Sequence, residues 1–207
     1  MKWIITISAI LLFALAGCGK DKQSTNELIT VDVTKNYPEK ELTLQDFMDV
    51  EYIPLETNDE FVTQGKVMAI GAEVILITNW ANDGNLFVFD RKTGKALKKI
   101  NRKGQGGEEY VGITEIVLDE ANKEIFVIAY TGSKISVYDL DGNFKRSFKA
   151  AGTESHVNTF NYDRENLISY VPDNSLENPS NAIPPYYLIF SKQDGSITRK
   201  ISIPFKE

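Results

Sequence analysis

A single cysteine, Cys18, and a single histidine, His156, bound the chemistry open to this chain of 207 residues. One thiol makes no intramolecular disulfide and no multi-cysteine zinc site, and one imidazole makes no multi-histidine metal centre. His156 with an acidic partner could serve as a general base, and Ser155 precedes it. Nothing in the sequence, however, marks a nucleophile facing that imidazole. The stretch Arg102-Lys103-Gly104-Gln105-Gly106-Gly107-Glu108-Glu109-Tyr110 invites a phosphate reading. It lacks the closing Gly-Lys-Ser/Thr of a nucleotide loop, and Glu109 stands where a dinucleotide fingerprint needs its third glycine. Gly104, Gly106, Gly107 and Glu109 are therefore expected to form a structural turn. Asp139-Leu140-Asp141-Gly142-Asn143 opens like a calcium loop but lacks the later glutamate, so it reads as a hairpin turn. No metal and no cofactor is expected.

What remains is recognition chemistry. Trp80, Arg102, Lys103, Tyr110, His156 and Tyr186 fall in or beside loops and offer aromatic faces and hydrogen-bond donors. Such a set suits a sugar ring, a peptide end or a carboxylate. The competing expectation is that Trp80 and Tyr110 pack between structural units while the charges are solvated. Asp173–Asn181 is a polar excursion that reads as a flap or simply an exposed loop. Twenty-three basic residues against 29 acidic ones give a formal charge of −6. No nucleic-acid partner is expected, because no excess of Lys and Arg exists to displace phosphate counterions.

The chain also carries an address. Lys2 precedes an uncharged run from Trp3 to Gly17 that ends in Leu15-Ala16-Gly17-Cys18. The run is short for a membrane span of about 20 residues and reads as the hydrophobic region of a signal peptide. Its end resembles the lipobox of bacterial lipoproteins. The resemblance implies cleavage after Gly17 and acylation of Cys18, so the membrane partner is engaged through lipid. Gly19 in place of an inner-membrane retention Asp favours the outer membrane, with the side of exposure left open. Residues 18–27 read as a polar tether.

The elements that position the candidate loops come from a repeat. Phe87-Val88-Phe89-Asp90, Ser136-Val137-Tyr138-Asp139 and Leu188-Ile189-Phe190-Ser191 recur at intervals of 49 and 52 residues, each followed by a glycine turn. A period of about 50 residues is that of a propeller blade. Val, Ile, Tyr and Phe dominate the runs, and Asp-Gly turns separate them. Strands are predicted at 65–70, 74–79, 86–90 and 96–101, at 113–119, 124–129, 134–139 and 143–149, and at 157–163, 167–171, 186–191 and 196–203. The only predicted helical turn is Leu44–Met48. The expected fold is all-β: three four-stranded blades (65–101, 112–149, 157–203) within residues 58–207, preceded by a closing-strand segment at 28–57. A β-sandwich is the alternative, though sandwiches need no internal repeat.

The glycine loop with Glu109-Tyr110 resembles the G-x-G-P-x-E-Y signature of six-bladed propeller lipoproteins of Bacteroides-type bacteria, with Gly107 in the usual place of Pro. Val50-Glu51-Tyr52-Ile53-Pro54-Leu55-Glu56-Thr57 is similar to that family's entry segment. The resemblance implies a fold and a compartment without a settled activity. Six blades need about 300 residues, and about 150 lie beyond Glu56. An incomplete six-bladed propeller is therefore expected, completed by a C-terminal half or a second chain, or else a truncated, non-functional product. The favoured function is a non-catalytic, lipid-anchored module binding a small molecule, glycan or protein; the alternative is a propeller lyase or hydrolase.

Overall fold

A computed structural model describes residues 31–129, 134–149, 157–172 and 185–203. The chain divides into two compact units, residues 1–50 and 51–207. In the first, the described part carries one 3-10 turn, Leu44–Asp46. Its start is held by the Asp46 carboxylate, which accepts the Thr43 backbone N–H at 2.7 Å and the Thr43 hydroxyl at 3.1 Å. Such side-chain capping lets so short a turn persist.

The second unit consists of three antiparallel four-stranded sheets, each a simple meander. The first holds β1 (Lys66–Ile70), β2 (Val74–Thr78), β3 (Asn85–Asp90) and β4 (Ala96–Asn101). The second holds β5 (Glu115–Asp119), β6 (Glu124–Ile128), β7 (Lys134–Asp139) and β8 (Phe144–Lys149). The third holds β9 (Val157–Asn161), β10 (Asn166–Val171), β11 (Tyr186–Ser191) and β12 (Ile197–Ser202). Observed and predicted strands agree to within one or two residues at nearly every end. This is the predicted all-β, blade-like architecture.

Central strands of the first two sheets are apolar on both faces because each of these sheets is sandwiched between layers. All five residues of β2 and of β6 are buried. Leu76, Leu86, Val88 and Ile100 of the first sheet pack against Ile116, Ile125, Val127 and Tyr138 of the second. Phe126, Ile128, Val137 and Phe148 of the second pack against Leu167, Leu188 and Phe190 of the third. The outermost strands β4, β8 and β12 turn Lys and Arg to solvent.

The third apolar cluster corrects a simple picture of sheet against sheet. Ile75, Ile77, Phe87 and Phe89 on the outer face of the first sheet are covered by Phe61, with Ile53 and Leu55 packed on the same cluster. The expected closing segment thus contributes a strap: residues 31–65 form no strand among the described residues. The Glu56 N–H donates to the Gly94 carbonyl at 2.8 Å, and the Ala96 N–H donates to the Glu56 carboxylate at 3.1 Å.

The strap repeats a contact made by the blades themselves. Gly142 (φ +82°) in the β7–β8 turn lies so close to Ile100 of the preceding sheet that a Cβ would come within 2.8 Å of it. Gly195 (φ +75°) in the β11–β12 turn meets Phe148 and Lys149 in the same way. Gly94 (φ +69°) in the β3–β4 turn meets Ile53 and Pro54. Residues 53 and 54 therefore stand to the first sheet as an outer strand stands to the next. These turns need glycine twice over, for a left-handed backbone and for room.

Candidate functional site

Of the predicted ligand-binding residues, the structure gathers three into a clasp between two loops. The Tyr110 hydroxyl donates to the Gly84 carbonyl at 2.8 Å and accepts the Arg102 backbone N–H at 3.1 Å. The Lys103 ammonium donates to the Asn82 carbonyl at 2.8 Å. The Arg102 guanidinium donates through Nε and Nη2 to the Gly142 carbonyl at 3.2 and 3.1 Å, tying the first sheet to the second. Tyr110 is buried edge-on against Tyr138 at 5.9 Å. Tyr186 is buried in the core between the second and third sheets, with the Lys200 ammonium 3.7 Å from its ring centroid. Tyr110 and Tyr186 thus hold sheets together, and neither ring is available to a ligand.

Trp80 differs. It is 70% exposed, and the Lys66 ammonium lies 5.2 Å from its ring. Its loop is stiffened by Asp83, which accepts Asn79 Nδ2 at 2.8 Å and Asn85 Nδ2 at 2.6 Å. Burial would raise the Asp83 pKa, but these donors outweigh it and hold the carboxyl below its ordinary value. His156, Cys18 and the loops 130–133 and 151–156 lie outside the described residues, as does all but the rim of the 172–185 loop.

The glycine loop works as a latch. Gly106 donates its N–H to the Glu109 carboxylate at 2.8 Å, so that amide faces an internal anion. A Cβ on Gly104 would run into the same carboxylate. The loop's carbonyls point the other way: Gly106, Gly107 and Glu109 accept from the Lys134 ammonium at 3.1, 2.8 and 2.8 Å. Tyr138 donates its hydroxyl to Glu108 O at 2.7 Å. Carbonyls turned on an ammonium describe a cation seat filled from within, the opposite of a phosphate cradle.

Burial pushes the Tyr138 pKa up to about 12, and burial likewise raises that of Tyr110. An unfolded tyrosine ionises near 10. The stability owed to the neutral Tyr138 ring is therefore present below about pH 10 and lost as pH rises from about 10 towards 12. Denaturant midpoints measured across that window should fall, and Tyr138→Phe should flatten the slope. An identical slope in the variant would remove Tyr138 as its source.

Sequence reasoning missed the main concave surfaces. The innermost strands β1, β5 and β9 line a cavity of about 620 Å³, which includes Met68, Ile70, Glu115, Glu120, Asn158 and Phe160. Both of its carboxylates are clasps. Glu115 accepts the N–H groups of Asn158 and Thr159 at 2.7 and 2.9 Å. Glu120 accepts those of Ala72 and Glu73 at 2.6 and 2.7 Å. Burial opposes ionisation of Glu120, yet the amides of Glu73 and Ala72 prevail and keep its pKa low. A second cleft of about 610 Å³ lies between the turns of the second and third sheets and includes Lys145, Arg164, Glu165, Gln193, Ser196 and Thr198. Beside it, Lys192 and Asp119 form a buried ion pair at 2.6 Å. Among the described residues no group of three or more His, Cys, Asp or Glu is placed to hold a metal ion, and no helix is long and apolar enough to cross a membrane.

A family described as 6-bladed beta-propeller matches residues 19–206. Among solved structures, a Bacteroides fragilis protein assigned as exported is similar at a TM-score of 0.58 and 21% identity. That match covers 81% of this chain and 46% of the other, so the chain spans less than half of that protein's length. The hydrazine synthase of Kuenenia stuttgartiensis is similar at a TM-score of 0.43 and 15% identity, over 63% of this chain and 34% of that one. The computationally designed Ika4 protein is similar at 0.42 and 16%, over 77% and 89%. At these identities the solved structures speak to the fold alone. No curated protein matches the sequence.

Proposed function

Because the chain belongs to the 6-bladed beta-propeller family, we propose that it is a lipid-anchored, non-catalytic binding module of the bacterial cell envelope. The observation that carries the binding reading is the state of the carboxylates in the channel-side cavity. Glu115 and Glu120 each accept two backbone N–H groups from a neighbouring sheet. A carboxylate held in this way has its acceptor sites taken by backbone and is aimed at its own scaffold, which suits a rigid wall and not a proton carrier. Beside them, the exposed Val67, Ile70 and Phe160 offer apolar area to the face of a glycan ring or to a peptide or protein side chain. Trp80, in the loop that Lys66 reaches, supplies a further exposed aromatic face near the start of β1.

The propeller reading also asks for more blades. Ile168, Tyr170, Tyr187 and Ile189 share the face of the third sheet turned away from the second, with the two tyrosine rings 5.5 Å apart. Equivalent faces of the first two sheets are covered by the next sheet. A further sheet, from a C-terminal half or a second chain, fits this face. The envelope placement rests on Leu15-Ala16-Gly17-Cys18. Acyl chains on Cys18, at about 0.8 kcal/mol per buried methylene, would hold the acidic domain on the outer membrane without help from anionic lipids.

Cys18→Ser tests the anchor. Expressed with its leader, the native chain should partition with membranes and take up labelled fatty acid, and the variant should do neither. A variant that stays membrane-bound and labelled would overturn lipidation at this residue.

A further inference from the structure

The cleft between the β5–β6 and β9–β10 turns and the β11–β12 hairpin differs from every other surface described above in one respect. All eleven of its lining residues are polar or charged. Its floor is locked from beneath. The Lys192 ammonium reaches Asp119 at 2.6 Å and the Asp163 carbonyl at 2.5 Å, and Asn122 donates to Asp119 at 2.8 Å and to the Arg164 carbonyl at 3.0 Å. The Arg146 guanidinium binds both Glu124 oxygens at 2.7 Å and the Lys192 carbonyl at 2.8 Å. Lys192, Asp119 and Glu124 are therefore neutralised within the protein and position the rim.

The rim offers a particular set of valences. Arg164 engages the protein through its backbone carbonyl, and among the described residues its guanidinium has no partner. Lys145 pairs with Glu124 at 2.5 Å but remains 40% exposed. The nearby Asp163 carboxylate is taken up by its own turn, accepting the N–H groups of Glu165 and Asn166 and the Asn166 amide. Ser196 gives its hydroxyl proton to Asp194 at 2.7 Å, and Thr198 gives its own to Ile189 O or Asn166 Oδ1 at 3.0 and 3.2 Å. Both hydroxyl oxygens keep lone pairs that can only accept. Glu165 is a further acceptor, and the Gln193 side chain, also without a partner among the described residues, can accept or donate.

A ligand matched to this rim carries one anionic group for the Arg164 fork and several O–H donors for the acceptors. We infer that the cleft binds a polyhydroxylated monocarboxylate, a uronate-type sugar, with Arg164 taking the carboxylate bidentately and Gln193, Ser196, Thr198 and Glu165 accepting sugar hydroxyls. Guanidinium geometry favours a planar carboxylate over a point anion. Glu165 repels polyanions, which separates this ligand from a phosphorylated one. The absence of an aromatic platform predicts weak, hydrogen-bond-dominated affinity, with Kd on the order of 1 mM. This cleft lies at the hairpin turns of the second and third sheets and is independent of the cavity invoked under the proposed function.

The test uses the full chain in detergent, titrated with D-glucuronate and followed by NMR of arginine Nε–H and glutamine side-chain amides. Glucuronate should shift the Arg164 and Gln193 signals with a Kd on the order of 1 mM. D-Glucose and acetate, each lacking half of the recognised chemistry, should bind at least about tenfold more weakly, and Arg164→Ala should weaken glucuronate by a similar factor. Arg164→Ala leaves the carbonyl contacts intact, and an unchanged melting temperature will confirm that the fold is preserved. Three results would overturn the assignment: no shift with glucuronate, equal binding of acetate or inorganic phosphate, or undiminished binding by Arg164→Ala. Loss of binding at the channel-side cavity would leave this result unaffected.

Discussion

Lys192→Met will destabilise the second unit by about 3–5 kcal/mol, the cost of leaving a buried charge without its partner. Lys192 is 1% exposed and Asp119 is fully buried. Removing the ammonium strands Asp119 with only the Asn122 amide and backbone N–H, at 2.8 and 3.2 Å, and also frees the Asp163 carbonyl. At about 2–4 °C per kcal/mol for a domain of this size, the melting temperature should fall by roughly 6–20 °C. The double variant Asp119→Leu/Lys192→Met should be more stable than Lys192→Met alone, because the isolated carboxylate is gone. What it still loses is the ammonium seated under the Asp163 and Arg164 carbonyls, about 1–3 kcal/mol. Lys145→Met makes the contrast. That ammonium is 40% exposed, so its removal should cost at most about 1 kcal/mol. Equal losses for Lys192→Met and Lys145→Met would show that burial does not govern these pairs.

The contrast matters because the pair joins different sheets. Lys192 lies beyond β11 and Asp119 at the end of β5, so the bond is made only when the second and third sheets dock. Glu115 and Arg146 do the same work at this junction and Glu120 does it between the first and second sheets, each with one sheet's side chain on a neighbouring sheet's backbone. Apolar burial stacks the sheets, and these polar clasps set the rotation at which they stack. A directional, charge-assisted bond tolerates little sliding, whereas two aliphatic faces tolerate a good deal.

That division explains what could be read in advance. Strands such as Val74–Thr78 and Glu124–Ile128 announce themselves locally, through runs of Val, Ile and Phe beside turn residues such as Asn79 and Asn122. The repeat then implies stacking, since a sheet apolar on both faces needs two neighbours. Clasps leave no such trace. Asp119 and Lys192 are 73 residues apart, and nothing around either suggests the other. Tyr110 and Tyr186 mislead for a related reason: a loop aromatic is exposed only if the next sheet does not claim it. Trp80 stayed outside because its loop is closed by Asn79, Asp83 and Asn85 on themselves. The polar cleft was invisible because its residues come from four separate turns and strands.

The strap was half legible, and it leads to the second large effect. Glu60-Phe61 repeats Glu109-Tyr110 in place: Tyr110 meets Tyr138 edge-on at 5.9 Å and 88°, and Phe61 meets Phe89 at 5.9 Å and 72°. Phe89 and Tyr138 occupy the same position in β3 and β7, each just before the strand's final Asp. The pairing is hidden in the sequence because residues 51–61 form no strand to set the register. Phe61→Ala should cost about 3–5 kcal/mol, since it removes the ring that seals Ile75, Ile77, Phe87 and Phe89. Gly94→Ala attacks the same strap from its other side. The new Cβ is strained at φ +69° and collides with the Pro54 carbonyl, so residues 53–56 must lift away. Gly107→Ala, with open space around it and no positive φ, should change stability by less than about 0.5 kcal/mol. Chemical unfolding of the three variants decides the matter. If Phe61→Ala and Gly94→Ala behave like Gly107→Ala, the outer face of the first sheet does not depend on the strap. If both are severe and hydrogen exchange rises first along β2 and β3, residues 51–61 do for the first sheet what each preceding sheet does for the next.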